Sequence, residues 1–241
     1  MPFFITFLAG LATLLGYFLI YINNYSNRIL ISSLGFASGV MFYISLFDLI
    51  PESISVLSNH YNIAFSFIIC LLFMTIGIIT SSFLDKMFSN KNNHLYHVGI
   101  ISMLGIIIHN IPEGIATYLT TTYSFKFGLI LALSIALHNI PEGVSISIPI
   151  YYSTNSKIKA FIYTLISGMS ELIGAVFAYI FIKEPSMLFM GALYSMISGI
   201  MIYISICELL PVSLGYKNCL LTWFSFILGI FFILISIILI N

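Results

Sequence analysis

Eight apolar stretches, each about as long as a membrane span, take up most of this 241-residue chain. A helix needs about 20 apolar residues to cross the hydrocarbon core of a bilayer. We therefore predict an all-α, polytopic integral membrane protein with a single transmembrane domain over residues 1–241. The predicted helices cover residues 3–22, 31–50, 61–83, 98–121, 126–150, 158–182, 187–210 and 218–240.

The composition excludes a soluble domain. Hydrophobic residues make up 60% of the chain and charged residues only 7%, whereas about 25% of the residues in a soluble domain are charged. Lys plus Arg and Asp plus Glu are balanced at 8 each, so no net field attracts nucleic acid. We expect the lipid bilayer as the surroundings and no nucleic-acid partner.

The basic residues predict an orientation, because cytoplasmic loops carry an excess of Lys and Arg. Eight spans divide the loops into two alternating sets. One set holds six basic residues: Arg28, Lys86, Lys91, Lys157, Lys159 and Lys217. The other set holds two, Lys126 and Lys183. The first set should face the cytoplasm, which places both termini outside it.

Two internal repeats predict an inverted architecture. The motif HNIPEG occurs at 109–114 and again at 138–143, on the fourth and fifth spans. SGVMFYISLFDLIP at 38–51 matches SGIMIYISICELLP at 198–211, on the second and seventh spans, with eight of fourteen positions identical. Both pairs are an odd number of crossings apart, so their members run in opposite directions. We predict a 3+2+3 inverted repeat, a signature of alternating-access transporters.

The spacing within HNIPEG brings its polar residues together on a helix. At about 3.6 residues per turn, Glu113 lies one turn beyond His109 and angularly between His109 and Asn110. His109 and Glu113 can hold one ion, while Asn110 and Glu113 can hold another. The second copy repeats this arrangement with His138, Asn139 and Glu142. The prolines remove a backbone donor from each helix and should loosen both beside these ligands.

Energetics favour a cation at this place. An ionised carboxylate near the centre of a bilayer costs roughly 2.5–3.5 kcal/mol on insertion scales. The apolar spans contain Glu113, Glu142 and also Glu171, and no Lys or Arg to pair with them. A divalent cation would neutralise two of these acids, and imidazole with carboxylate is a ligand set that suits zinc and other first-row metals.

Other acids and histidines lie near the predicted helix ends. Asp48 and Glu52 close the second span, and Glu208 closes the seventh, which runs the other way. We expect these acids to flank the entrance and exit of an ion path. His94 and His97 form an HxxH pair in the predicted cytoplasmic loop and are candidate ligands there.

These motifs resemble the ZIP (Zrt-/Irt-like) metal-ion transporters, most closely their bacterial ZupT-like branch. The resemblance rests on both HNIPEG copies, on SGMSELIGA around Glu171 and on SGVMFYISLFDLIP, and it covers nearly the whole chain. It implies a mid-membrane binuclear centre in the inner membrane of a bacterium, homodimers and metal movement into the cytoplasm. The implied first site is His109, Glu113, His138 and Glu142; the implied second site is Asn110, Glu113, Asn139, Glu142 and Glu171.

We therefore predict a divalent-metal importer with Zn²⁺ as its first substrate and Fe²⁺, Mn²⁺, Co²⁺ and Cd²⁺ as further candidates, and no organic cofactor. Two alternatives stay open on the same residues: a metal-selective channel and a membrane-embedded metal-dependent hydrolase. The enzyme is disfavoured because the chain has no HExxH and no ExxH pattern, and because an enzyme has no need of an inverted repeat.

Overall fold

A computed structural model of the chain describes residues 1–21, 26–88, 93–182 and 186–240. Over these residues it contains eight helices that are long and apolar enough to cross a membrane, and no β-strand, so the predicted all-α architecture is confirmed. In chain order they are α1 Pro2–Tyr21, α2 Asn27–Ser58, α3 Ile63–Phe88, α4 His94–Tyr123, α5 Phe125–Thr154, α6 Lys157–Phe181, α7 Met187–Gly215 and α8 Cys219–Leu239.

Six helix ends differ from the prediction by four or more residues, and three of them change where predicted site residues lie. α2 continues past Pro51 to Ser58, α3 reaches Phe88 and α4 already begins at His94. Pro51 is tolerated because it stands in the first turn after a π-helical segment, where its missing N–H costs little. The acids and histidines expected at helix ends or in a loop therefore lie on helices. The described residues do not include Lys91, Lys183 or residue 22, on which parts of the predictions rest.

The helices pack as two copies of one arrangement. α1 packs against α5 as α6 packs against α4, and α2 packs against α8 as α7 packs against α3. The pairs α4 with α5, α1 with α6 and α2 with α7 are also in contact, as partners across a two-fold axis would be. Exchanging α1–α3 with α6–α8, and α4 with α5, maps the packing onto itself. This is the packing expected of the 3+2+3 inverted repeat.

Close backbone approaches repeat under the same exchange. A Cβ on Gly39 of α2 would collide with the carbonyl oxygen of Phe226 on α8, and a Cβ on Gly199 of α7 would collide with that of Met74 on α3. Gly39 and Gly199 are the second residues of the two SG-x-M motifs. Small residues allow such contacts between helices that span membranes, so the repeated sequence fixes the repeated packing.

A π-helical turn interrupts α2 at Ser45–Leu49 and α7 at Ile204–Leu209. The Ser45 carbonyl, which receives the amide of Ile50, also accepts the Ser198 hydroxyl at 3.1 Å. In the other repeat the Ser205 carbonyl accepts the Ser38 hydroxyl at 3.0 Å. Each repeat thus supplies a serine that stabilises the π-turn of the other, and the four serines are buried.

The double variant Ser38→Ala, Ser198→Ala is expected to lower the free energy of unfolding by about 1 kcal/mol per lost hydrogen bond. Thermal unfolding of the purified protein in detergent measures the change. Ser58→Ala, at the exposed end of α2, is the control because its hydroxyl donates to the carbonyl of Ser55 in the same helix. Equal midpoints for the double variant and the control would show that the crossed serines do not stabilise the π-turns.

Successive helices run in opposite directions, so α1 begins and α8 ends at the same end of the bundle. We call this the termini end and the other the opposite end. α4 runs toward the termini end and α5 runs away from it, which places both HNIPEG motifs near the middle of the bundle. The inverted packing therefore brings the two copies face to face.

Candidate metal centre

The two HNIPEG motifs meet across the α4–α5 contact. The Nε2 atom of His109 lies 3.1 Å from an Oε1 of Glu113 one turn along its own helix and 3.2 Å from the Oε1 of Glu142 on α5. In return, the Nε2 atom of His138 lies 2.8 Å from the Oε1 of Glu113. Each glutamate therefore contacts a histidine of the other motif, and two imidazoles and two carboxylates share one space.

The residues of this cluster are buried, and several of their polar atoms are unpartnered. His109 and Glu142 are 0% exposed, and His138 and Glu113 are 5% and 9% exposed. In the part of the chain that the structure describes, several of its buried polar atoms have no hydrogen-bond partner: both ring nitrogens of His109, both carboxylate oxygens of Glu142 and Oε2 of Glu113. An unsatisfied buried polar group costs about 1–3 kcal/mol. A cation coordinated by these atoms would remove that cost.

The asparagines extend the cluster towards α6. The Asn110 amide nitrogen donates to the Ser167 carbonyl at 3.2 Å. The Asn139 amide nitrogen donates to the Ala9 carbonyl at 3.0 Å and also contacts the Glu171 carboxylate. With both amide nitrogens bound, the side-chain oxygens are the atoms left over, and within the described residues these oxygens and Oε2 of Glu171 have no partner. This arrangement offers oxygen ligands next to the histidine–glutamate cluster.

Glycines allow the neighbouring helices α6 and α1 to approach α4 and α5 closely. A Cβ at Gly114 would collide with the carbonyl oxygen of Glu171 on α6, and a Cβ at Gly143 with that of Thr13 on α1. The two contacts are related by the inverted repeat. Because Gly114 directly follows Glu113 in the chain, this close approach brings Glu171 to the motif. Thr13 takes the equivalent place on α1, so the α1 side of the cluster lacks a carboxylate.

The prolines of the two motifs do not interrupt the helices. α4 runs as one α-helix through Pro112 and α5 through Pro141, whereas the sequence predicted that both would be loosened there. A proline removes one backbone hydrogen bond, but here the turns on either side hold the helix together. Tight packing by α1 and α6 at the following glycines keeps the helices in place.

A cavity of about 420 Å³ leads from the cluster towards the termini end. His109, Glu113 and His138 lie on its wall, so the cluster can be reached from that end. Asp48 and Glu52, which the sequence predicted at one end of an ion path, also line this cavity. The sequence did not single out three further polar residues on this wall, Thr120, Ser134 and Tyr194.

A second polar cluster lies at the opposite end. The Nε2 atom of His97 lies 3.1 Å from Oδ1 of Asp85, and the Tyr203 hydroxyl donates to Oδ2 of Asp85 at 2.9 Å. Potential ligand atoms of Asp85, His97 and Glu208 all lie within 4.8 Å of one another. His94 is not among the grouped residues of the described chain and only approaches His97, with ring centroids 6.3 Å apart.

The sequence missed Asp85 because the third helix was predicted to end at residue 83. The apolar Leu84, Met87 and Phe88 that flank it were the available signal that the helix continues. On the extended α3, Asp85 sits beside α4 and α7 rather than in a loop, and this position lets it bind His97.

Comparison with known proteins identifies the family. The model of a family described as ZIP Zinc transporter matches residues 90–237, which include both HNIPEG motifs and Glu171. The chain belongs to the ZIP family. Its helices before residue 90 lie outside the matched stretch, so the relationship of α1–α3 depends on individual relatives.

Several bacterial ZIP relatives align over almost the whole chain. A zinc transporter ZupT from Streptococcus mutans is 35% identical, with 98% of this chain and 96% of the relative covered. The ZupT of Clostridium perfringens is 34% identical, with 99% and 95% covered, and that of Chlorobaculum parvum 36% identical, with 89% and 88% covered. The first two alignments reach into α1–α3 and therefore extend the ZIP relationship to the first repeat.

Proposed function

We propose that this ZIP-family protein transports divalent metal ions, zinc first, across the membrane through the buried cluster on α4 and α5. The main support is the pair of identical, oppositely directed motifs, whose histidines and glutamates meet within 2.8–3.2 Å although several of their polar atoms have no hydrogen-bond partner in the described residues. Buried polar atoms in folded proteins nearly always have a partner, and a bound ion is one explanation for a group of buried atoms that lack one. The relatives that cover this chain are named zinc transporters.

The donor set supports a transported ion rather than a structural one. Imidazole and carboxylate bind Zn²⁺ and other first-row metals, and structural zinc sites usually contain thiolates that hold the metal firmly. Among the described residues, the His109–Glu113–His138 group contains no cysteine. Nitrogen and oxygen ligands leave Fe²⁺, Mn²⁺, Co²⁺ and Cd²⁺ as further candidate substrates.

We assign two adjacent sites. The first uses His109, Glu113, His138 and Glu142; the second uses Asn110, Glu113, Asn139, Glu142 and Glu171, with Glu113 and Glu142 shared between the two. The short distances within the first set and the contact of Asn139 with Glu171 support this division. The counterpart of Glu171 on α1 is Thr13, which has no carboxylate. The second site therefore has a carboxylate from α6 but none from α1.

The path is proposed to run from the termini end to the opposite end. Asp48 and Glu52 on the cavity wall support an entrance, and Glu208 with His97 and Asp85 supports an exit. With the termini outside, as the basic residues predict, this direction brings metal into the cytoplasm of a bacterium. Homodimer formation, which the resemblance implies, stays a prediction.

Uptake into liposomes tests the proposal. Purified protein reconstituted into vesicles that contain a zinc-sensitive dye is expected to give saturable zinc influx. Influx that rises linearly with zinc far above micromolar levels would favour a channel on the same scaffold. No influx, together with zinc-dependent cleavage of a lipid or peptide, would favour a hydrolase and contradict the proposal.

Asp48→Asn is expected to raise the apparent KM for zinc several-fold with a smaller effect on the maximal rate. The substitution removes a negative charge from the cavity mouth without changing the ligands of the cluster, and such charges raise the local concentration of a cation. Initial uptake rates across a range of zinc concentrations measure both constants.

The control for Asp48→Asn is His60→Ala, which changes an exposed loop residue at the same end of the bundle but off the cavity wall. This variant should keep both constants. An unchanged KM for Asp48→Asn would contradict the proposal that this carboxylate attracts zinc at the entrance.

A further inference from the structure

A tyrosine at the end of α5 joins two groups of helices at the opposite end. The Tyr152 hydroxyl donates to the carbonyl of Ser26, the residue that precedes α2, at 3.1 Å. α5 packs with α1, α4 and α6 around the metal cluster and also contacts α2, which in turn packs with α8 and α7. His97 and Asp85 form another link between these groups at the same end, where α4 meets α3. Both contacts lie at the opposite end, whereas the cavity leads from the cluster to the termini end.

The inverted repeat contains a second copy of the Tyr152–Ser26 pair. The two HNIPEG motifs are 29 residues apart, and this offset places Tyr123 at the position equivalent to Tyr152. The two SG-x-M motifs are 160 residues apart, and this offset places Ser186 at the position equivalent to Ser26. The residue types are identical in both cases. Ser26 and Ser186 also share a structural position, because each is the N-cap residue of its helix.

The second copy is open in the structure. Tyr123 is 91% exposed at the end of α4, next to the end of the bundle where the cavity opens. Its counterpart Tyr152 is only partly exposed and bound to Ser26. One pair is therefore joined by a hydrogen bond at the opposite end, whereas the tyrosine of the other pair is exposed at the termini end.

We propose that Tyr123 and the Ser186 carbonyl form a hydrogen bond when the termini end closes, and that the Tyr152–Ser26 bond breaks as the opposite end opens. The inference rests on the proposed transport function, which requires the cluster to face each end in turn. Exchanging the conformations of the two repeats converts the observed state into its inverse and exchanges the two pairs. Matched bonds at the two ends keep the two states similar in free energy, so that both are populated.

Position 102 is suited to a chemical probe of whether the opposite end of the bundle is open. Ser102 lies on α4, is 0% exposed, and its hydroxyl has no hydrogen-bond partner among the described residues. By the 29-residue offset its counterpart on α5 is Leu131, which lines the cavity. Ser102 should therefore line the equivalent cavity when the opposite end opens. A cysteine fits there with little change in volume and should react with a maleimide only in that state.

The experiment measures the maleimide reaction rate of Ser102→Cys in purified, metal-free full-length protein whose native cysteines are replaced (Cys70→Ala, Cys207→Ser, Cys219→Ser). Tyr152→Phe is expected to raise the rate about three- to tenfold, and Tyr123→Phe to lower it by a similar factor, as the loss of one hydrogen bond predicts. Tyr61→Phe, in the loop after α2, is the control and should leave the rate unchanged.

The opposite signs are the decisive result. If Tyr123→Phe raises the labelling rate or leaves it unchanged, the proposed Tyr123–Ser186 hydrogen bond is wrong. A rise with both variants would likewise contradict it, because it would indicate general loosening of the helices. A cysteine that never reacts also overturns it. Zinc uptake by the wild-type protein is measured separately, and its failure counts against the proposed function. Normal uptake, together with a maleimide rate that neither tyrosine variant changes, counts only against the proposed pair of alternating hydrogen bonds.

Discussion

Glu113→Gln is expected to abolish saturable zinc uptake. Glu113 contacts both histidines of the cluster, and Glu113 and Glu142 are the acids that the two proposed sites share. Glutamine keeps the shape of the side chain but removes the charge and one of the two carboxylate ligands. Loss of even a supporting residue lowers metal affinity about 10–100-fold, so loss of a shared ligand should reduce uptake by more than about 100-fold. Initial rates in reconstituted vesicles measure the effect.

Glu52→Gln is the matched control for this variant. It changes the same residue type in the same cavity, but at an exposed position away from the histidines. Its maximal rate at saturating zinc should stay near that of the wild type. Substantial uptake by Glu113→Gln at the same protein density in the vesicles would exclude the shared-ligand role.

Gly114→Val is expected to prevent formation of the native bundle. Any Cβ at this position collides with the backbone carbonyl of Glu171, and backbone cannot move aside as a flexible side chain can. Overpacking a well-filled interior typically costs about 1–3 kcal/mol, and the added methyl groups should bring a larger cost. We expect little monodisperse protein after extraction, measured by size-exclusion chromatography in detergent.

Gly215→Val provides the comparison, because a Cβ at Gly215 meets no atom within 4 Å. This variant adds the same side chain at the end of α7 and should yield protein like the wild type. If Gly114→Val also yields monodisperse protein with an unchanged thermal midpoint, the close packing of α6 on α4 is not needed for folding.

The number of helices and their inverted arrangement could be predicted from the sequence for a physical reason. A span must be apolar over its whole length, and the odd number of crossings between repeated motifs leaves only antiparallel pairing. The meeting of His109 with Glu142 follows from that pairing and from helical periodicity. These features depend on local composition and spacing, which a single sequence contains.

Other features depend on contacts between distant residues. The continuation of α2 beyond Pro51 depends on a π-turn that Ser198 of α7 helps to stabilise. Asp85 joins His97 only because α3 runs beyond its apolar stretch. The end to which the cavity opens is a property of one conformational state, and the symmetric motifs favour neither end.

Zinc X-ray absorption spectroscopy on the purified, zinc-loaded protein tests whether the α4–α5 cluster binds zinc. We expect only nitrogen and oxygen ligands around the zinc, with imidazole scattering that weakens in a His109→Ala, His138→Ala variant. A sulfur shell, which would point to the cysteines, or an unchanged spectrum in the double variant would contradict the assignment of the α4–α5 cluster as the place where zinc binds.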